Sequence, residues 1–203
     1  MKKAGIMGGT FNPIHYGHLT LAKKAREQFA LDEILFMPCG EPYMKAAKKV
    51  ESARIRAEMT ALAIQDEPYF TLSTIELTQS GNTYTYETLE RLREQNPDTE
   101  YYFILGADNL FQITRWAKPE RIFSSCRLLA AVRDDKTVAD MEAQINRLKE
   151  EYQAVIFLLK IDCMDISSSQ IRRKVADGIS IETDVPAAVR AYIEEKGLYY
   201  ESD

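Results

Sequence analysis

Two histidines lie close together near the amino end, and they are the only histidines among the 203 residues. His15 and His18 follow Gly8, Gly9 and Thr10 at the start of an amphipathic helical pattern. Helical residues three apart share one face, and their side chains lean toward the N-terminus, so both rings can reach a ligand held there. The free amides and the dipole of a helix N-terminus favour an anion at that place. The pattern therefore predicts a phosphate site.

The spacing of this stretch differs from two common nucleotide motifs. It matches neither GxxxxGK[ST] nor GxGxxG, so it indicates neither the usual P-loop nor a redox dinucleotide fingerprint. The alternative interpretation is a pair of surface or core histidines beside an ordinary turn, with or without a metal ion shared between them.

A second candidate anion site lies near the carboxyl end. Ser167 and Ser168 stand where a helix should begin, and Arg172 follows about one turn later. Serine hydroxyls and free amides can bind phosphate oxygens, and a guanidinium can fork onto them. Alone, this pattern is also typical of a capped, solvated helix.

Short apolar runs alternate with helical patterns along the chain, without a Pro/Gly/Ser-rich linker or an internal repeat. The predicted strands are residues 4–7, 33–38, 70–77, 101–105, 127–132 and 154–159. The predicted helices are residues 15–29, 53–64, 86–94, 138–150 and 168–176, and a last helix has Pro186 in its first turn and Gly197 past its end. This alternation indicates βαβ units and an α/β fold with a parallel sheet.

Open parallel sheets bind ligands beyond the carboxyl ends of their strands. Both candidate anion sites follow predicted strands, so we expect them to close around a single polyphosphate. With 45% hydrophobic residues, the chain can bury one ordinary core. We therefore expect a single domain over residues 1–203, whose last helices, at about 168–200, form a C-terminal helical subregion.

The overall charge argues against several kinds of partner. A net charge of −5 and a pI near 5.3 leave no broad basic face for nucleic acid or for an anionic membrane. Three distant cysteines, Cys39, Cys126 and Cys163, lack metal spacing and indicate reduced thiols in a cytoplasmic protein. Whether the chain forms a homo-oligomer is not determined by its sequence.

The stretch GGTFNPIHYGH resembles the (T/H)xGH signature of the nucleotidyltransferase superfamily, and its opening is most similar to the bacterial nicotinate mononucleotide adenylyltransferases. ISSSQIR resembles the ISSTxIR element with which that family holds the triphosphate. The likeness extends from the first strand to GLYY near the end and is weakest around 134–152. It implies a Rossmann-like, doubly wound parallel sheet of the nucleotidyltransferase type with a C-terminal helical element.

The resemblance also implies roles for individual residues. The catalytic residues would be His15 and His18, and the ATP phosphates would bind Gly8, Gly9, Thr10, Lys45, Ser167, Ser168 and Arg172. The nucleotide ribose would bind Gly106, Asp108 and Asn109, and the pyridine ring would bind Thr85, Tyr84 and Trp116. From the residues alone, Thr85 is equally a helix cap, and a single tryptophan is also typical of a core.

The sequence departs from the family pattern at several positions. Met44 stands before Lys45 where the family often has histidine, and Glu87 replaces the aspartate of its TxDTL element. Val132 and Arg133 begin a segment that replaces the family's Arg-Pro-Gly, which leaves any substrate contact of Arg133 open.

The reaction that the resemblance implies joins nicotinate mononucleotide to the AMP half of ATP. The products would be nicotinate adenine dinucleotide and pyrophosphate, and Mg²⁺ would be carried on the triphosphate rather than by a protein site. Two alternatives stay open. The first is a related adenylyl- or cytidylyltransferase, such as phosphopantetheine adenylyltransferase, and the second is a non-catalytic nucleotide sensor.

Overall fold

The computed structural model describes residues 1–40, 50–78, 83–132, 137–161 and 166–200. Its strands are β1 (Lys2–Gly9), β2 (Glu33–Pro38), β3 (Phe70–Leu72), β4 (Thr99–Gly106), β5 (Arg127–Ala131) and β6 (Ile156–Leu159). All pair in parallel, in the order β3-β2-β1-β4-β5-β6. This is the doubly wound α/β sheet that the sequence predicts.

Helices connect the strands. They are α1 (Tyr16–Phe29), α2 (Ala53–Ile64), α3 (Thr85–Gln95), α4 (Ala107–Gln112), α5 (Pro119–Ser125), α6 (Val138–Tyr152), α7 (Ser168–Ala176) and α8 (Ala187–Lys196). A short 3₁₀ turn, Ile113–Arg115, links α4 to the segment before α5. None of the helices in the described ranges is long and apolar enough to span a lipid bilayer.

The strands alternate between two hydrophobic layers, as a sheet covered on both faces must. In β4, Tyr102 and Ile104 join the layer beneath α1, α2, α7 and α8, whereas Phe103 and Leu105 join the layer beneath α3 to α6. The helices of the two layers therefore cover both faces of the sheet.

Several predicted bounds differ from the observed ones, and two observed helices were not predicted. The predicted strand 70–77 ends at Leu72, because the following residues form a turn in which the Leu77 amide donates to the Thr74 carbonyl at 2.9 Å. The helices α4 and α5 were not predicted, since six and seven residues are too few to show a helical period. The last helix is Ala187–Lys196, so Pro186 is its N-cap rather than a first-turn residue, and Gly197, with φ of 60°, follows its end as predicted.

The strand order reverses between β1 and β4. The helix after β1 and the helix after β4 lie on opposite faces of the sheet, so the loops that follow the two strands separate and open a crevice. Gly9 ends β1 and Gly106 ends β4, and both therefore lie at this crevice.

Candidate active site

The first strand delivers the two histidines to the crevice. His15 is the N-cap of α1, and its backbone amide donates to Nδ1 of His18 at 3.3 Å. The two rings lie 3.8 Å apart between centroids. Because Nδ1 of His18 accepts a hydrogen bond, the neutral ring carries its proton on Nε2, which makes Nε2 a donor.

The two histidines differ in exposure. His15 is only 2% exposed, whereas His18 is half-buried and meets the edge of Phe11 at 5.0 Å between centroids. Gly17 lies directly against the inner ring: a Cβ at this position would be 3.0 Å from Cε1 and Nδ1 of His15. A glycine is therefore required at position 17 for the observed place of the His15 ring.

Helix α7 docks its N-terminus on the first turn. Ser168 Oγ donates to the Pro13 carbonyl at 2.9 Å, and Arg172 Nη1 donates to the Asn12 carbonyl at 3.0 Å. Ser167 caps the helix, since its Oγ accepts from the Gln170 amide at 3.3 Å. The structure thus brings the histidine turn and the serine-capped helix together, across more than 150 residues of sequence.

A cavity of about 730 Å³ opens beside this junction, at the carboxyl ends of the central strands. Gly8, Gly9 and Thr10 form one wall, and Phe103 and Leu105 of β4 form the floor. Its size and its mainly apolar lining suit a flat aromatic ligand with a polar substituent. The cavity lies next to the histidine turn, but His15, His18 and the α7 residues are not among its lining residues.

The residues assigned to the pyridine ring all line this cavity. Tyr84 is the N-cap of α3 without a side-chain cap bond, and Thr85 is the first helical residue, so Thr85 does not cap the helix. Trp116 is half-buried and packs edge-on against Phe103 at 6.3 Å between centroids. Its ring is therefore held in place while one side faces the cavity.

Only one of the three residues assigned to the ribose lines the cavity. Asn109 lines the cavity, whereas Gly106 is the N-cap of α4 and Asp108 is exposed in its first turn. Lys45 and Arg133 lie outside the described residues.

Sequence reasoning missed two buried charged residues beside the site. Arg56 is 1% exposed, and Glu76, which lines the cavity, is 7% exposed. Burial raises the pKa of the Glu76 carboxyl above its ordinary value, although hydrogen bonds from Thr88, Thr83 and the Gly40 amide oppose that shift. Arg56 falls on the buried stripe of α2 with Thr60 and Ala63, so a charge inside an apolar helical period was the available signal.

Two cations flank Trp116 at the rim of the cavity. Arg115 and Lys118 both line it and are exposed, and Nζ of Lys118 lies 5.0 Å from the ring centroid of Tyr86. They make the rim locally positive in a chain whose net charge is −5. An anionic ligand is favoured there.

Comparison with known families agrees with this geometry. Residues 6–174 match the cytidylyltransferase-like family. The chain is 45% identical over 199 residues, 98% of its length and 100% of the relative, to a probable nicotinate-nucleotide adenylyltransferase of Lachnoclostridium phytofermentans. A relative with the same description from Dehalococcoides mccartyi is 46% identical, with 97% of both chains covered.

Solved structures share the fold at low sequence identity. The chain resembles the nicotinic acid mononucleotide adenylyltransferase of Plasmodium falciparum, solved in complexes with APC and with NaAD, at a TM-score of 0.81 and 22% identity. That likeness covers 100% of this chain and 99% of the Plasmodium chain. A putative nicotinate-nucleotide adenylyltransferase of Vibrio parahaemolyticus has a TM-score of 0.68 at the same identity.

Proposed function

Because this chain belongs to the cytidylyltransferase-like family, among its nicotinate-nucleotide adenylyltransferases, we propose that it joins nicotinate mononucleotide to the AMP half of ATP. The 5′-phosphate of the mononucleotide attacks the α-phosphorus of ATP in line. A new P–O bond forms, the bond from the α-phosphorus to the bridging oxygen breaks, and pyrophosphate leaves. The other product is nicotinate adenine dinucleotide, an intermediate of NAD biosynthesis.

One observation carries this proposal: two helix N-termini with anion-binding residues meet beside a cavity of about 730 Å³. The junction suits a polyphosphate, and the cavity suits the acceptor nucleotide. A phosphate oxygen is a competent nucleophile at neutral pH, so the reaction needs positioning and charge stabilisation rather than a covalent intermediate.

The histidines are proposed as donors to the α- and β-phosphate oxygens, on which negative charge grows as the new bond forms. His18 is assigned the contact nearest the α-phosphorus, which its greater exposure and its protonated Nε2 support. His15 is assigned the inner position, because its ring lies directly against that of His18. Thr10 and the amides of Gly8 and Gly9 are proposed to orient the same phosphates.

The serine-capped helix is proposed to hold the β- and γ-phosphates. Ser167, Ser168 and Arg172 lie at its N-terminal turn, where free amides and the helix dipole add to their hydrogen bonds. Lys45 is proposed as a further phosphate contact on the strength of the resemblance alone.

The acceptor nucleotide is proposed to occupy the cavity. Trp116 would stack on the pyridine ring, and Tyr84 and Thr85 would meet its carboxylate, because these three residues border the same space. Asn109 would bind the ribose with Gly106 and Asp108. The positive rim formed by Arg115 and Lys118 supports an acceptor with an additional negative charge.

Magnesium is proposed to enter bound to ATP. In the described part of the chain, no three His, Cys, Asp or Glu side chains lie together as metal ligands, so the residues suit an ion that keeps its waters and its phosphate oxygens. When bound, the ion neutralises charge on the departing pyrophosphate.

The setting of the enzyme is also part of the proposal. Free thiols at Cys39 and Cys126 support a reducing cytoplasm. A single domain with a C-terminal helical subregion is supported by Val175 of α7 and Val189 of α8, which share one hydrophobic layer with α1 and α2.

The decisive experiment supplies ATP and Mg²⁺ with one acceptor at a time: nicotinate mononucleotide, nicotinamide mononucleotide or phosphopantetheine. Pyrophosphate release and dinucleotide formation are measured together. Fastest release with nicotinate mononucleotide is expected. Preference for phosphopantetheine would instead indicate a related adenylyltransferase, and ATP binding without pyrophosphate release would indicate a nucleotide sensor.

A further inference from the structure

The buried Arg56 connects three separate segments of the chain. Its Nε donates to the Glu51 carbonyl at 2.9 Å, and its Nη1 donates to the Thr10 carbonyl at 2.7 Å. Its Nη2 donates to the carbonyls of Cys39 at 2.8 Å and Gly40 at 2.7 Å. A side chain that is 1% exposed thus joins the phosphate turn after β1, the segment after β2 and the start of α2.

This guanidinium is costly to bury, since its hydrogen-bonding partners in the described residues include no carboxylate. The fork geometry of arginine allows one group to satisfy four backbone carbonyls on three segments, which lysine cannot reproduce. These contacts hold the three backbone segments in register.

The buried Glu76 holds the other side of the same segment. Its carboxylate accepts from Thr88 Oγ1 at 3.0 Å, from Thr83 Oγ1 at 3.4 Å and from the Gly40 amide. Thr83 and Thr88 flank the first turn of α3, which carries the cavity residues Tyr84 and Thr85. Glu76 therefore ties the pyridine side of the cavity to Gly40.

Arg56 and Glu76 thus meet at one residue from opposite sides. The Gly40 carbonyl accepts from Arg56, and the Gly40 amide donates to Glu76. A Cβ at position 40 would lie 2.8 Å from the Glu76 carbonyl oxygen, so no side chain fits between them. We propose that Arg56, Gly40 and Glu76 form a buried clamp that positions the phosphate turn and the pyridine-binding turn as one rigid unit. Arg56 and Gly40 are positioning residues, because they act on substrate through Thr10 and the segment after β2, whereas Glu76 also borders the cavity and positions the Thr83–Thr88 segment.

This inference rests on the proposed function and predicts which kinetic constant each variant changes. Glu76→Gln weakens the hold on the α3 turn, so the KM for nicotinate mononucleotide rises about tenfold, the scale of one hydrogen bond to a charged group. The KM for ATP changes less than twofold. Arg56→Lys loosens both the Thr10 turn and Gly40, so both KM values rise.

The two residues must also show coupling. Since both act through Gly40, the double variant raises the KM for the mononucleotide much less than the product of the two single effects. Gly40→Ala is expected to raise the KM for the mononucleotide as well, although the charges of Arg56 and Glu76 both remain. Arg54→Lys on α2 and Glu94→Gln on α3 are the matched controls, because both side chains are exposed and lie outside the clamp.

Stability separates positioning from a structural role. Glu76 is a buried carboxylate, so Glu76→Gln is expected to leave the melting temperature equal or higher at neutral pH while the KM rises. Circular dichroism confirms that each variant folds, and Thr88→Val, which removes the hydroxyl that donates to Glu76, replaces any variant that does not, with the same selective rise expected. Equal effects of Glu76→Gln on both substrates, or independent effects in the double variant, would overturn the clamp. A parent enzyme that forms no dinucleotide would instead overturn the proposed function.

Discussion

At the residue scale, the proposed site contains two imidazoles whose places are set by backbone contacts. The amide of His15 donates to Nδ1 of His18, and Gly17 leaves room for the His15 ring. This local geometry follows from a few residues of sequence, and each part of it has a measurable consequence.

The replacement His18→Ala removes one preorganised donor. We expect turnover to fall by about two to three orders of magnitude, the usual cost of losing such a donor at a developing charge. Steady-state pyrophosphate release measures the effect, and Tyr16→Phe, next to it on the exposed side of the helix, is the control. Turnover within a few-fold of the parent would contradict the role given to His18.

The replacement Gly17→Ala tests the packing behind the histidines. An alanine Cβ would lie 3.0 Å from the His15 ring, so the ring must move by a few tenths of an ångström. We expect turnover to fall about tenfold through this misplacement, without loss of thermal stability, because alanine favours the helix. Thr20→Ala in the same helix is the control. Unchanged turnover would show that the place of His15 does not matter.

At the element scale, helices α7 and α8 complete the site although they follow it in sequence. Helix α7 brings Ser168 and Arg172 to the first turn, and α8 packs against α2 in the same hydrophobic layer. Tyr199, just after α8, donates to Asn12 Oδ1 at 2.8 Å. The carboxyl-terminal elements therefore hold the turn after β1 in place, and α7 also contributes residues to the proposed phosphate site.

Helix α8 is joined to α2 by a hydrogen bond from Tyr192 to Glu58. This hydrogen bond, together with the one from Arg54, lowers the pKa of the Glu58 carboxyl. The stability that the ionised Glu58 contributes is therefore present above the ordinary carboxyl pKa and is lost as the pH falls. Tyr192→Phe should therefore be less stable than the parent at pH 7, and the difference in the free energy of unfolding should narrow as the pH falls below the ordinary carboxyl pKa. Urea unfolding at several pH values measures the difference in unfolding free energy between the parent and the variant. A difference that does not change with pH would contradict the contribution assigned to ionised Glu58.

At the scale of the whole molecule, the strand order reverses between β1 and β4, and open parallel sheets bind their ligands at such a reversal. A ligand in this crevice contacts both halves of the sheet, so binding and folding are linked. Nicotinate mononucleotide at a hundred times its Kd should add about 2.7 kcal/mol, which corresponds to roughly 5–10 °C in Tm. Thermal unfolding with phosphopantetheine at the same concentration is the control, and an equal shift would contradict the acceptor preference.

The sequence by itself determined the α/β class, five strands to within a few residues, and the family. Short, nearly continuous apolar runs and helix caps are local signals, and GGTFNPIHYGH is long enough to be specific. The assigned roles of the site residues stay predictions. The short helices α4 and α5 and the early end of β3 were beyond these signals, because so few residues show no period.

Only the tertiary structure decided which polar residues lie inside. A charge within the apolar period of α2 singles out Arg56, but only the fold shows that Arg56 and Glu76 are both buried beside Gly40. The meeting of α7 with the first turn likewise spans nearly the whole sequence. Such contacts depend on how the helices pack on the sheet, and local sequence patterns do not indicate this packing.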